Sequence, residues 1–97
     1  MPDFHYQQLD DLIHSRIRLS IMSILIGVDQ AEFKFLKEQV KTTDGNLSVH
    51  LRKLEKAKYI TMTKRFLKRK PVSSYRITQK GKYAFEKYVE RIEKLIR

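Results

Sequence analysis

The side chains best suited to reading another molecule stand close together in the sequence: Thr43, Gly45, Asn46, Ser48, Val49, Arg52 and Lys53. A guanidinium can give two hydrogen bonds to a guanine edge, a carboxamide can pair with an adenine, and a branched side chain can pack on a thymine methyl group. Arg52, Asn46 and Val49 supply one of each. At about 100° per residue, Gly45, Val49, Arg52, Lys53 and Lys56 lie opposite Leu47, Leu51 and Leu54, with Asn46 and Ser48 flanking them near the N-terminal end. The outward face holds no acid. Gly45 costs roughly 1 kcal/mol relative to Ala in a helix interior, less in a first turn, and lets backbone approach a phosphate closely. Lys53, Lys56 and Ser48 also fit a plain solvated surface, and His50 lies nearer the apolar face, where a packed core histidine is expected.

A second group, Arg65, Lys68, Arg69 and Lys70, belongs to a longer acid-free run. Between Glu55 and Glu86 stand ten Lys and Arg and no acid, whereas the rest of the chain balances eleven against eleven. The whole formal charge of +10 therefore sits in one continuous segment. A field so localised faces a polyanion, and duplex nucleic acid is the commonest one.

Catalytic and metal chemistry find little support. There is no Cys, and His5, His14 and His50 are scattered, so neither a metal site nor a cofactor is expected. No HExxH, GxSxG or GxxxxGK[ST] string occurs. Glu86, Glu90 and Glu93 read as helical ion-pair partners of Lys82, Lys87, Lys94 and Arg97 rather than as acid and base.

The elements that must position these groups follow from periodicity. Leu9, Leu12, Ile13 and Ile17, continued by Leu19, Ile21, Met22, Ile24 and Leu25, predict one or two helices bent near His14 and Ser15, with Ser15 as an N-cap and a stop from Gly27 to Gln30. Phe33, Leu36 and Val40 mark a short amphipathic helix over 32–40, with Lys34, Lys37 and Lys41 on other faces. Thr43 is placed to cap a third helix running to about Ala57, and Asp44 favours its positive end. Asp44-Gly45 is also a hairpin signal, but its flanks carry the helix period. Tyr59 to Lys64 and Ser73 to Ile77 then predict two antiparallel strands, joined by a basic, mobile tip from Arg65 to Val72. Thr78 caps a last helix through Arg97, along which Phe85, Tyr88, Ile92 and Leu95 form an apolar stripe.

The order is helix, turn, helix, wing, an α+β arrangement that is mostly helical with a small antiparallel β-hairpin and a long C-terminal helix. The runs DGNLSVHLRKLEKAKYI, RFLKRKP and YRITQKGKYAFEKYV, with IHSRIRLSIMSIL upstream, resemble the winged helix-turn-helix transcriptional regulators of the MarR and ArsR type. The resemblance spans nearly the whole chain as one domain, 1–97. It implies a dimeric cytoplasmic regulator that touches double-stranded DNA through Asn46, Ser48, Val49, Arg52 and Lys53 and through Lys68, Arg69 and Lys70 in the wing. A pseudo-palindromic operator is expected for such a homodimer. The stripe of Phe85, Tyr88, Ile92 and Leu95, with Val89 and Ile96 beside it and Phe4, Leu9 and Leu12 near the N-terminus, is the expected dimer interface. No segment reads as a membrane span or a secretory signal, so the expected location is cytoplasmic. Two alternatives stay open: a winged-helix module binding an acidic protein, and an RNA-binding protein using an exposed aromatic such as Phe66.

Overall fold

The computed structural model describes residues 10–96. The elements run α1 (Arg16–Ile26), β1 (Ala31–Glu32), α2 (Phe33–Val40), α3 (Asp44–Lys56), β2 (Ile60–Leu67), β3 (Lys70–Ile77) and α4 (Gln79–Ile96). Ser15 starts α1 in an extended conformation, its hydroxyl accepting from the Arg18 N–H. Ahead of it, residues 11–13 form a turn rather than the start of a bent helix. The Asp10 carboxylate fixes that turn by accepting from the N–H groups of Leu12 and Ile13, while its other oxygen accepts from the Tyr59 hydroxyl. Burial, followed by the hydrogen bond to Asp10 and its negative charge, pushes the Tyr59 phenol up to about 12.

The core is built from Ile13, Ile21, Met22, Leu25, Leu36, Leu47, Leu51, Leu54 and Ile60, all but sealed from solvent, with Val40, Tyr75 and Tyr88 at its margins. Helix α1 crosses the centre and touches α2, α3, β3 and α4. Leu47, Leu51 and Leu54 bury one face of α3, as the three- and four-residue spacing requires.

The sheet has three strands in the order β1-β3-β2. Glu32, expected at the start of a helix, pairs instead with Ser74, and Ala31 before it pairs with Tyr75. The hairpin also corrects the expected tip: Arg65 pairs with Val72, Phe66 with Pro71 and Leu67 with Lys70, so the ladder closes on the two-residue turn Lys68-Arg69. Both turn residues have positive φ, 51° and 67°. That pair of left-handed residues is the backbone of a type I′ turn, whose twist matches the strands it joins. Lys41 and Lys58 are left-handed as well, so every positive-φ position among the described residues is a Lys or an Arg.

Two junctions hold the helices against the sheet. Helix α3 ends in a Schellman motif, Tyr59 N–H to Leu54 C=O and Lys58 N–H to Glu55 C=O, with Lys58 in the left-handed place usually taken by Gly. Thr78 then ties the start of α4 to this corner. Its hydroxyl accepts from the Gly81 N–H and lies 2.7 Å from the Lys58 carbonyl oxygen, to which it donates.

Candidate nucleic-acid interface

Helix α3 is set by its cap. Thr43 is extended, and its hydroxyl accepts from the Asn46 N–H at 3.1 Å. Asp44, in the first turn, pairs with Lys37 of α2 at 2.7 Å, which braces the two helices across the connection. Arg16 of α1 reaches the Val40 carbonyl at the end of α2.

With one side of α3 buried, the other is fixed outward. Thr43, Gly45, Asn46, Val49, Arg52 and Lys53 are exposed, and Ser48 is half-buried beside them. No acidic side chain among the described residues pairs with Arg52 or Lys53. A Cβ built on Gly45 would meet nothing within 4 Å, so its backbone is open to close approach. The expected α3 residues thus form one continuous, acid-free surface along the outer half of the helix.

His50 is half-buried rather than sealed in the core. Its Nδ1 lies 2.8 Å from Arg18 Nη1, and Arg18 also donates through Nε to the Leu12 carbonyl. Because a guanidinium only donates, His50 accepts through Nδ1. Burial first, then the charges of Arg18 and Lys53, hold its imidazole below the ordinary value of 6.5. His50 therefore orients α3 on α1 from behind.

Beside Thr43 and Asn46 the structure adds Thr42 and three lysines that sequence reasoning leaves outside the site. Lys34, Lys37, Lys41, Thr42, Thr43 and Asn46 line a hollow where α2 turns into α3, with Glu38 at its edge. Their signal is the spacing of Lys34, Lys37 and Lys41, which puts three cations on one side of α2 beside the N-terminus of α3.

In the wing, Arg65, Lys68, Arg69 and Lys70 are all exposed, and so is every residue from 61 to 71. Arg65 belongs to a paired strand, and only Lys68 and Arg69 form the tip. The hairpin therefore carries its charge on a regular ladder that extends past the body of the protein.

The stripe on α4 divides in two. Tyr88 is in the chain's own core, its hydroxyl 2.8 Å from His14 Nδ1, and burial raises its phenol above the usual range. Leu12, Phe85, Ile92 and Leu95 pack partly against that core, while Val89 and Ile96 stay exposed. Phe4 and Leu9 lie outside the described residues. Among the ion pairs expected on this helix, Glu90 meets Lys87 and Lys94. No described helix is long and apolar enough to cross a membrane, and no group of three or more His, Asp or Glu among the described residues is placed to hold a metal ion.

Comparison with known proteins agrees with this geometry. An uncharacterized protein of Methanocaldococcus jannaschii is 37% identical over 84 residues, which cover 87% of this chain and 91% of that protein. The structure of a transcriptional regulator homologue from Pyrococcus horikoshii superimposes with a TM-score of 0.82 at 26% identity, covering 88% of this chain and 84% of the other. HlyU from Vibrio cholerae, at 18% identity and a TM-score of 0.63 over 84% of this chain and 83% of its own, shares the fold. The model of the winged helix DNA-binding domain matches residues 17–96, four-fifths of the sequence, and the chain belongs to that family.

Proposed function

We propose that this chain is a sequence-specific regulator of transcription that lays α3 in a major groove of duplex DNA and rests the wing on the backbone or in the adjacent groove. The observation that carries the reading is the continuous acid-free surface of Asn46, Val49, Arg52 and Lys53, set on a helix whose opposite face is fully buried. A helix fits the major groove, and its N-terminal side chains reach base edges there. The cations of α2 and the wing flank that surface and supply sequence-independent attraction to phosphates. The transcriptional regulator homologue of similar fold supports the regulatory role.

The same reading has the protein act as a homodimer on a pseudo-palindromic operator. Ile26, Phe85 and Val89 line an apolar hollow between α1 and α4, rimmed by Glu86, Glu90 and Glu93. Val89 and Ile96 are exposed on α4, and a second copy packed there by twofold symmetry would present two copies of α3 to one duplex. The MarR and ArsR type of dimeric regulator fits this layout, and the cytoplasm is where such a protein would work.

Selection from a pool of random duplexes tests the reading directly. The expected result is an enriched motif with two related halves, bound with an affinity that falls steeply with salt. Binding that falls with salt but enriches no motif would leave a non-specific DNA-binding protein and sink the claim of sequence-specific control.

A further inference from the structure

Phe66 sits one residue from the wing turn with 77% of its surface exposed. An aromatic so bare at the end of a hairpin is covered by none of the other described residues. By strand alternation Phe66 shares the sheet face that carries Ile60 and, across the ladder, Tyr75, both buried at the base. That face continues outward for several residues after the core has ended. Around the ring, Lys64, Arg65, Lys68, Arg69 and Lys70 place five cations within seven positions, with no acid.

Charge decides which partner could cover this ring. A second copy of the wing would bring five like charges against five, and Pro71, opposite Phe66, offers no N–H for pairing between edges. A polyanion with apolar surface between its charges fits both parts of the hairpin, and stacked base pairs between two phosphate rails have that composition. The tip is also narrow, since only two residues close the ladder, and a minor groove of about 6 Å admits little more than a side chain.

Resting on the DNA-binding reading above, we propose that Phe66 is an apolar wedge: Lys68 and Arg69 hold the hairpin on the phosphates, and the ring enters a step of the minor groove, partly unstacks it and bends the duplex. Proteins that insert apolar side chains in this way kink DNA by roughly 20–90°. Phe66 would then favour operators with an easily unstacked pyrimidine–purine step under the wing, a preference at base pairs that no hydrogen bond reads.

The test uses the full chain and a duplex chosen by the selection experiment, labelled at both ends for energy transfer. Wild type, Phe66→Ala, Phe66→Leu and the double variant Lys68→Ala/Arg69→Ala are compared for bend, affinity and salt dependence. Circular dichroism confirms the fold, which the exposure of Phe66 protects. Wild type is expected to bend the duplex, and Phe66→Ala to straighten it and bind roughly five- to a hundredfold more weakly, the range set by removal of one stacked aromatic. Its salt slope should not change. Phe66→Leu should keep part of the bend, because Leu also serves as a wedge. The double variant should instead lower the slope by up to about 0.9 for each phosphate that is no longer neutralised.

A wild-type complex with straight DNA, or a bend and affinity indifferent to Phe66→Ala, overturns the wedge while leaving DNA binding intact. Failure of wild type to bind any duplex overturns the DNA-binding reading and the wedge with it. If Phe66 instead strengthens binding only to single-stranded RNA, the ring is a base-stacking platform and the wedge is also wrong.

Discussion

Arg52 and His50 lie two residues apart on α3 and face different worlds. Arg52 is exposed with its guanidinium open to a ligand, so Arg52→Ala should weaken binding to the preferred duplex by about 1–3 kcal/mol and relax the choice at one base pair. Affinities across a set of singly mutated duplexes check this, and unchanged discrimination would reduce Arg52 to a phosphate contact. His50, by contrast, accepts from Arg18 and is held below its ordinary value by burial and by the neighbouring charges of Arg18 and Lys53. The unfolded chain therefore takes up this proton more readily than the folded one. The stability His50 contributes is present above pH 6.5, its ordinary value, and is lost as the pH falls through that value toward the lower folded one. His50→Asn keeps an oxygen acceptor for Arg18 without a titrating ring. Thermal melts between about pH 7.5 and pH 5 should fall less steeply for this variant than for wild type, and parallel curves would remove His50 from the account.

Among the elements, the corner where α3, β2 and α4 meet is the least forgiving. A Cβ on Gly81 would stand 2.2 Å from the Tyr59 carbonyl oxygen and 2.9 Å from Ile77 Cγ1, so the first turn of α4 lies directly on the backbone of its neighbour. Gly81→Ala should destabilise the protein by about 1–3 kcal/mol as α4 is pushed away. Gly45→Ala meets open space and should leave stability equal or slightly higher, so two identical substitutions in calorimetry separate close approach from helix propensity. The same corner shows what sequence can carry. Ser15, Thr43 and Thr78 are legible as caps because a hydroxyl before an apolar period has a local reason to be there, and Asp44-Gly45 is legible as helix because its flanks step by three and four. Strand β1 is not legible, since two residues cannot show alternation and their pairing depends on distant Ser74 and Tyr75. The outer wing escapes a local reading because its turn is built from Lys68 and Arg69, where Asn-Gly is the usual signature. Half of the α4 stripe is likewise ambiguous: nothing local distinguishes Tyr88, taken by the chain's own core, from Val89 beside it in solvent.

On the scale of the whole molecule, exposed apolar residues occur in two settings: Phe35, Val49, Met62, Phe66 and Leu67 stand among the cations of α2, α3 and the wing, while Ile26, Val89 and Ile96 stand on α1 and α4. Because Ile92 and Tyr88 support the core, the informative dimer variants are at exposed Val89 and Ile96. Wild type should sediment as a dimer at micromolar concentration, and Val89→Glu/Ile96→Glu as a folded monomer with weaker binding to paired half-sites about 10 base pairs apart. A wild-type monomer that binds its site as a single copy would refute the dimer. The left-handed residues set a different relation between parts. Lys41, Lys58, Lys68 and Arg69 each hold a backbone shape that costs a side-chain-bearing residue roughly 1–2 kcal/mol and that Gly or Asn adopts more easily. Replacing them with Gly or Asn should raise the melting temperature by several degrees, each kcal/mol gained being worth roughly 4–8 °C in a domain of this size. The same four changes remove four positive charges, two of them at the wing tip, so affinity for DNA should fall as stability rises. Charge at these turns and thermal resilience should therefore oppose one another, and a version of the chain stabilised at all four should bind DNA less tightly than wild type.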